Sequence, residues 1–118
     1  MKEIKNAKIT KVDLSMADHG VLVLELVLEG SGWGCVFGGY VLGHGYLDSK
    51  DFSGSPKGIE EIMRIMDVVG VERFNEMKGK YVRVEIEGLS SPIKKIGNII
   101  EDKWFDYNKF YPQQERNS

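Results

Sequence analysis

The chain is poor in cysteine and histidine and has no long apolar run. Cys35 is the one cysteine among 118 residues. No internal disulfide is available, and such usage fits a reducing compartment. The histidines, His19 and His44, and that single thiol are too few and too scattered for a zinc set. The apolar run over residues 21–28 is broken by Glu25 and is far too short to span a bilayer. The opening Met1-Lys2-Glu3-Ile4-Lys5-Asn6 has no apolar segment of signal-peptide length. An excess of positive charge is also missing. A net charge of -2 argues against a protein whose main task is gripping duplex DNA, which leaves a basic footprint. Lysine and arginine do cluster, at Lys2, Lys5, Lys8 and Lys11 and again at Lys78, Lys80, Arg83, Lys94 and Lys95. A solvated strand face or turn accounts for both groups. These absences lead us to expect a single soluble domain over residues 1–111 with a polar tail at 112–118, and no membrane association.

Glycine is what the chain has in excess. Over residues 30–45, GSGWGCVFGGYVLGHG, seven of sixteen positions are glycine, with Trp33, Phe37 and Tyr40 among them. Glycine weakens a strand and costs backbone entropy, so the density needs a cause. Either the strand bends sharply and its aromatics cover the glycines, or a ligand or another surface approaches the bare backbone. Alternation puts Trp33, Cys35, Phe37, Gly39 and Val41 on one side. It puts Gly34, Val36, Gly38, Tyr40 and Leu42 on the other, a side nearly bare at Gly34 and Gly38.

The remaining segments read as regular elements. Residues 4–15 form a first strand whose alternation slips between Asn6 and Lys8. Asp18-His19-Gly20 is a turn signal. Residues 21–28 are apolar on both faces, as in a central strand or one that meets a partner chain. A third strand spans 33–42, followed by a loop at 43–54. Ser55-Pro56 opens a helix ending at Gly70, with Ser55 as N-cap and Pro56 at the first helical position. Its expected apolar stripe is Ile59, Ile62, Met63, Met66 and Val69. Residues 72–77 add one helical turn. Strands follow at 81–87 and 93–100, the second bulged at Gly97. The tail carries Trp104, Phe105, Tyr107, Phe110 and Tyr111. This order predicts an α+β fold, with a mostly antiparallel sheet of about five strands and one amphipathic helix packed on one face. A core of this size is expected not to absorb all the tail rings and both faces of residues 21–28, so a homo-oligomer is expected, most simply a two-fold dimer.

Asp18-His19-Gly20, Gly32-Trp33-Gly34 with Phe37-Gly38-Gly39-Tyr40-Val41-Leu42, Lys78-Gly79-Lys80-Tyr81-Val82-Arg83-Val84, Ile96-Gly97-Asn98-Ile99-Ile100 and Asp102-Lys103-Trp104-Phe105 occur in order along most of the chain. In this the sequence resembles small uncharacterised proteins of tailed bacteriophages and prophages. The resemblance implies a phage accessory protein acting in the host cytoplasm. It supplies no catalytic residues.

No reaction is named by the residues. Cys35 with His19 or His44 as base is a thin case for nucleophilic catalysis, because a cysteine inside a strand is usually inert. Glu25, Glu85 and Glu87 read as outward-facing charges rather than metal ligands. The glycine run lacks the Gly-Lys-Ser/Thr of a phosphate-binding loop and is not followed directly by a helix. We therefore expect no enzyme, no cofactor and no metal, but a protein that works by binding. The candidate ligand residues are Trp33, Gly34, Phe37, Gly38, Gly39, Tyr40, His44, Lys80 and Arg83. In that set aromatic rings stack on a base while bare amides and cations hold an anion. The expected function is antagonism of host antiviral defence, by sequestering a nucleotide-like signal or by occluding a host protein. The alternative is a single-stranded nucleic-acid-binding accessory of phage replication or recombination.

Overall fold

The computed structural model describes residues 2–18, 20–45, 52–88 and 93–112, with only the backbone at positions 17, 18, 40, 41 and 44. The strands are β1 (Glu3–Asp18), β2 (Val21–Gly30), β3 (Trp33–Gly45), β4 (Phe52–Gly54), β5 (Tyr81–Ile86), β6 (Lys95–Asn98) and β7 (Trp104–Asp106). Helix α1 (Pro56–Val69) lies between β4 and β5, and one short helical turn, α2 (Tyr107–Phe110), follows β7. The α+β, mostly antiparallel expectation holds, but the sheet has seven strands rather than about five, in the order β4-β3-β2-β1-β5-β6-β7. The additions come from segments read as loop and tail. Phe52–Gly54 pairs with Gly43–Gly45, and Trp104–Asp106 pairs with Lys95–Gly97. His19, residues 46–51, residues 89–92 and most of the polar tail lie outside the described residues.

The sheet rolls up because β1 is shared. Its first half pairs with β5, from Glu3↔Ile86 to Lys8↔Tyr81, and its second half pairs with β2. A bulge between Ile9 and Lys11 separates the halves. Thr10 is the extra residue, so Ala7 and Ile9 face inward before the bulge and Val12 after it. The slip in alternation therefore lies at Thr10, not between Asn6 and Lys8. On the far side Phe37 in β3 makes a parallel bridge to Ile93 at the entrance to β6. The sheet thus curls into a partly closed barrel around Ile9, Leu24, Leu26, Leu28, Phe37, Val82, Val84 and Ile96, all inaccessible to solvent.

β3 carries the sharpest departures from regular pairing. Its register against β2 shifts between Leu24/Glu25 and between Leu22/Val23, leaving Gly39 and Leu42 as extra residues. The two-face reading holds through Phe37, which is buried, and fails after it, where Leu42 is buried instead. Gly38 has φ +115, and a Cβ there would lie 2.2 Å from the Leu24 carbonyl oxygen. The bare position meets its own neighbouring strand. Gly34 is exposed and meets only ordinary contacts.

Helix α1 begins and ends where its sequence says. Ser55 accepts from the Gly58 amide at 3.1 Å, and Gly70 takes the left-handed cap at φ 91. Its buried face is rotated from the expected stripe: Val69 is buried and Ile62 and Met66 pack against the core as expected. Gly58, Glu61, Ile65, Val68 and Val69 are buried, whereas Ile59 and Met63 are exposed. The helix turns this way because Gly58 sits on Leu42, where a Cβ would fall 2.8 Å from the Leu42 carbonyl oxygen. The Ser55 amide donates to that same oxygen at 3.0 Å. Gly97 is not a bulge. The β5–β6 register runs through it without a shift, and the Trp104 ring occupies the space a Cβ would need. The tail rings pack within the chain: Phe105 is buried edge-on to Phe37 at 6.1 Å, and Phe110 lies 5.3 Å from Phe105. No helix among the described residues is long and apolar enough to cross a membrane.

Gly38→Val should destabilise the fold by about 3 kcal/mol or more, since a β-branched residue at positive φ adds strain to a steric clash. Gly32→Ala, where the added Cβ meets nothing, should cost about 1 kcal/mol. Urea unfolding curves of both variants check this order.

Candidate functional site

α1 covers the barrel end at which Leu42 and Asn98 lie, with the Asn98 amide group donating to the Val68 carbonyl at 2.8 Å. The opposite end, formed by the start of β1, the β2–β3 turn and the end of β5, opens into a cleft of about 390 Å³. Its lining side chains include Glu3, Lys5, Trp33, Cys35, Ile86 and Ile93, and Ser31, Gly32 and Gly34 contribute the turn between the strands. Lys5 arrives there through strand phase. Glu3, Lys5, Ala7 and Ile9 share the inward face of β1, and beyond Ala7 the barrel is too open to bury them. Lys5 Nζ stands 3.9 Å from Glu3 Oε2, and its side chain remains part exposed. This loose pair holds the cation at the mouth without sequestering it.

Trp33 is fixed by its turn. Gly30 and Trp33 are directly paired, Gly32 between them has φ 78, and the indole lies over Gly30, within about 2.1 Å of where a Cβ would stand. One side of the ring is therefore seated on its own hairpin while the residue lines the mouth. Cys35 is half-buried, and burial pushes its thiol up from the ordinary value. It stays protonated near neutrality and is a poor nucleophile.

The candidate ligand residues do not converge on one place. Trp33 and Gly34 line the mouth. Phe37 is inaccessible and offers no face for stacking. Gly38 and Gly39 form the bulge against Leu24 and Glu25. The side chains of Tyr40 and His44 lie outside the described residues. Lys80 is exposed in a separate groove near the end of α1. Arg83 is committed to main chain: its Nε donates to the Asn98 carbonyl at 2.7 Å and its Nη2 to the Glu101 carbonyl at 2.8 Å. The guanidinium also lies over the Trp104 ring at 4.7 Å. Lys5, Ile86 and Ile93 were missed. The signal for Lys5 was available, as a cation in the inward phase of a strand. Ile93 reaches the mouth only through the barrel-closing bridge.

Glu61 is a buried acid on α1, at a position the expected apolar stripe does not include. It is inaccessible to solvent. Oε1 accepts from the Tyr111 hydroxyl at 2.8 Å, and Oε2 has no partner. Burial pushes its carboxyl above the usual range, against the opposing pull of the Tyr111 bond. Burial, and then the neighbouring carboxylate, push the Tyr111 phenol up. The bond anchors the part-exposed Tyr111 of the tail to α1. Glu85 is paired with Lys2 at 3.6 Å and with Lys95 at 3.5 Å. Among the described residues no group of three or more His, Cys, Asp or Glu is placed to hold a metal.

No known family model matches the chain, and neither a curated protein nor a solved structure is significantly similar to it.

Because the Glu61 carboxyl is raised in the folded chain, its contribution is fully present below the unfolded carboxyl pKa. It is lost as pH rises through the folded value. Glu61→Gln should therefore flatten the fall in melting temperature between pH 5 and pH 8, whereas Tyr111→Phe should steepen it. Thermal melts across that range check both signs.

Proposed function

We propose that the chain is a non-enzymatic binding protein that takes a small nucleotide-like molecule at the open mouth of its barrel. The observation that carries this reading is the mouth itself. It is concave, with Trp33, Cys35, Ile86 and Ile93 as its apolar lining, Lys5 as its cation, loosely faced by Glu3, and the Ser31-Gly32 turn at its edge. A mostly apolar cleft with a few placed polar groups is the usual form of a small-molecule site, and about 300–1,000 Å³ is the usual size. An indole beside an ammonium group suits a planar base that carries negative charge. The raised Cys35 thiol supports binding over catalysis. The resemblance to small proteins of tailed phages supports a setting in the cytoplasm of an infected host. There, removing a nucleotide-like signal antagonises antiviral defence.

A second reading has its own support. β1, β2, β3, a helix, then β5 and β6, with β1 shared and β3 bridged to the entrance of β6, is the connectivity of a five-stranded OB barrel. That fold binds single strands on the face of its second and third strands. Here the described side chains on that outer face are Val21, Val23, Glu25, Val27, Glu29 and Val36, without the rings and cations that stacking on single strands uses. The same valines support self-association through that face, which sedimentation velocity measures directly.

A panel of mono-, di- and cyclic nucleotides should contain a compound that raises the melting temperature by several degrees, since a ligand at 100 times its Kd adds about 2.7 kcal/mol. Trp33→Ala and Lys5→Ala should each remove that shift. A panel without effect ends the small-ligand reading. Binding of oligo(dT) that weakens steeply with salt would replace it with the second.

A further inference from the structure

The turn between β6 and β7 is tied down more firmly than its length requires. Asn98 is buried. Its Nδ2 donates to the Val68 carbonyl, and its Oδ1 accepts from the amides of Ile100 and Glu101, each at 2.8 Å. Arg83 adds its bonds to the Asn98 and Glu101 carbonyls from β5. The Asn98 amide donates to the Lys103 carbonyl at 2.8 Å. A buried amide and a guanidinium thus fix one short turn, and what that turn displays is aliphatic. Ile100 is 86% exposed and Ile99 36% exposed. Tyr81, 54% exposed, stands beside them across a groove of about 580 Å³. Turns in water favour Gly, Asn, Asp, Ser and Pro. A rigid turn that holds isoleucine outward is instead the form of a pre-organised contact, in which little ordering entropy remains to be lost on docking.

Basic side chains border the Tyr81 side of this groove, while the turn itself carries the acids Glu101 and Asp102. Lys80 lines the groove, Lys78 precedes it across Gly79, and Lys8 Nζ lies 6.0 Å from the Tyr81 ring centre. No carboxylate among the described residues pairs with Lys8, Lys78 or Lys80. The acid in the groove, Glu101, is already faced by Lys103 at 3.9 Å. We infer that this ridge docks a second protein, through a segment with apolar anchors flanked by aspartate or glutamate. The aliphatic centre favours a protein over a nucleic-acid strand, whose bases would need several rings to stack on. Charge complementarity sets the rim, and the isoleucines supply the contact. The inference is independent of the barrel mouth, from which this ridge is separated by the length of β5.

The test uses the full chain as bait for a displayed random-peptide library, with Ile100→Asp as the counter-selecting bait. Peptides retained only by the native chain should carry acidic residues beside aliphatic or aromatic anchors. In fluorescence anisotropy they should bind at least tenfold more weakly to Ile100→Asp and to Lys80→Glu. Both changes are on exposed side chains, so unchanged melting temperatures are expected. Ile100→Ser replaces the aspartate variant if its melting temperature falls. Three results would overturn the inference: no acidic peptides enriched, peptide binding that survives both substitutions, or labelled oligo(dT) captured through this face and lost in Ile100→Asp. A concentration-dependent dimer that Ile100→Asp abolishes would overturn it too, in favour of a second copy as the occupant.

Discussion

The fold depends on one close contact, between the first turn of α1 and the bulged end of β3. A barrel with one open end needs its other end closed, and the helix can close it only by reaching the sheet backbone. Leu42 is the residue left over by the register shift, so its carbonyl accepts the Ser55 amide, and its backbone becomes the seat for Gly58. Any side chain larger than hydrogen at Gly58 would lift the helix off. The helix would then rotate or slide, and Ile65, Val68 and Val69 would leave the core. The contact also explains why so apolar a helix leaves Ile59 and Met63 in water. Its orientation is set at the first turn by backbone contact, and the rest of the stripe follows that rotation.

Glycine does two separate jobs in the remainder of the sheet. At Gly38 and Gly39 it supplies positive φ values of +115 and +81, so that β3 can bulge against β2. At Gly30 and Gly97 it makes room for a tryptophan from the adjoining strand, Trp33 in one case and Trp104 in the other. A large ring laid over a glycine recovers apolar contact that the missing side chain forfeits, and it fixes register across the pair. The aromatic-glycine pattern is thus first a way of building a strongly curved sheet. Its functional content lies at the edge, where the Trp33 hairpin borders the barrel mouth.

How far these features could be read from sequence follows from their range. The cap residues of α1, Ser55, Pro56 and Gly70, were legible because capping is local chemistry. The alternating strands were legible for the same reason. Ile62, Met66 and Val69 of α1 were legible as core-facing, but the burial of Gly58 and Glu61 was not, because these are chosen by partners far along the chain, Leu42 and Tyr111. Nor was the change of phase in β3, since a bulge inserts a residue without altering composition. The mouth was half visible. Trp33 and Gly34 belong to the conspicuous segment, whereas Ile93 joins them only through its bridge to Phe37. Lys80 and Arg83 share a strand end in sequence but have opposite fates, one free at the surface and one bound to two carbonyls.

That division of labour between neighbouring cations links structure to use. Arg83 is the better choice for the internal role, because a planar guanidinium can serve two carbonyls at once and lie over Trp104. By doing so it stiffens the turn that holds Ile100 outward. Lys80, with a compact and mobile ammonium, stays available at the rim. Exchanging the two residues would preserve net charge yet weaken both effects, since a lysine ammonium at position 83 lacks the planar fork that serves the Asn98 and Glu101 carbonyls from separate nitrogens. The surface that the turn presents is therefore a property of hydrogen-bond geometry, not of charge alone. The same holds at the mouth, where Lys5 acts as a local cation only because strand phase carries it inward to a place the barrel leaves open.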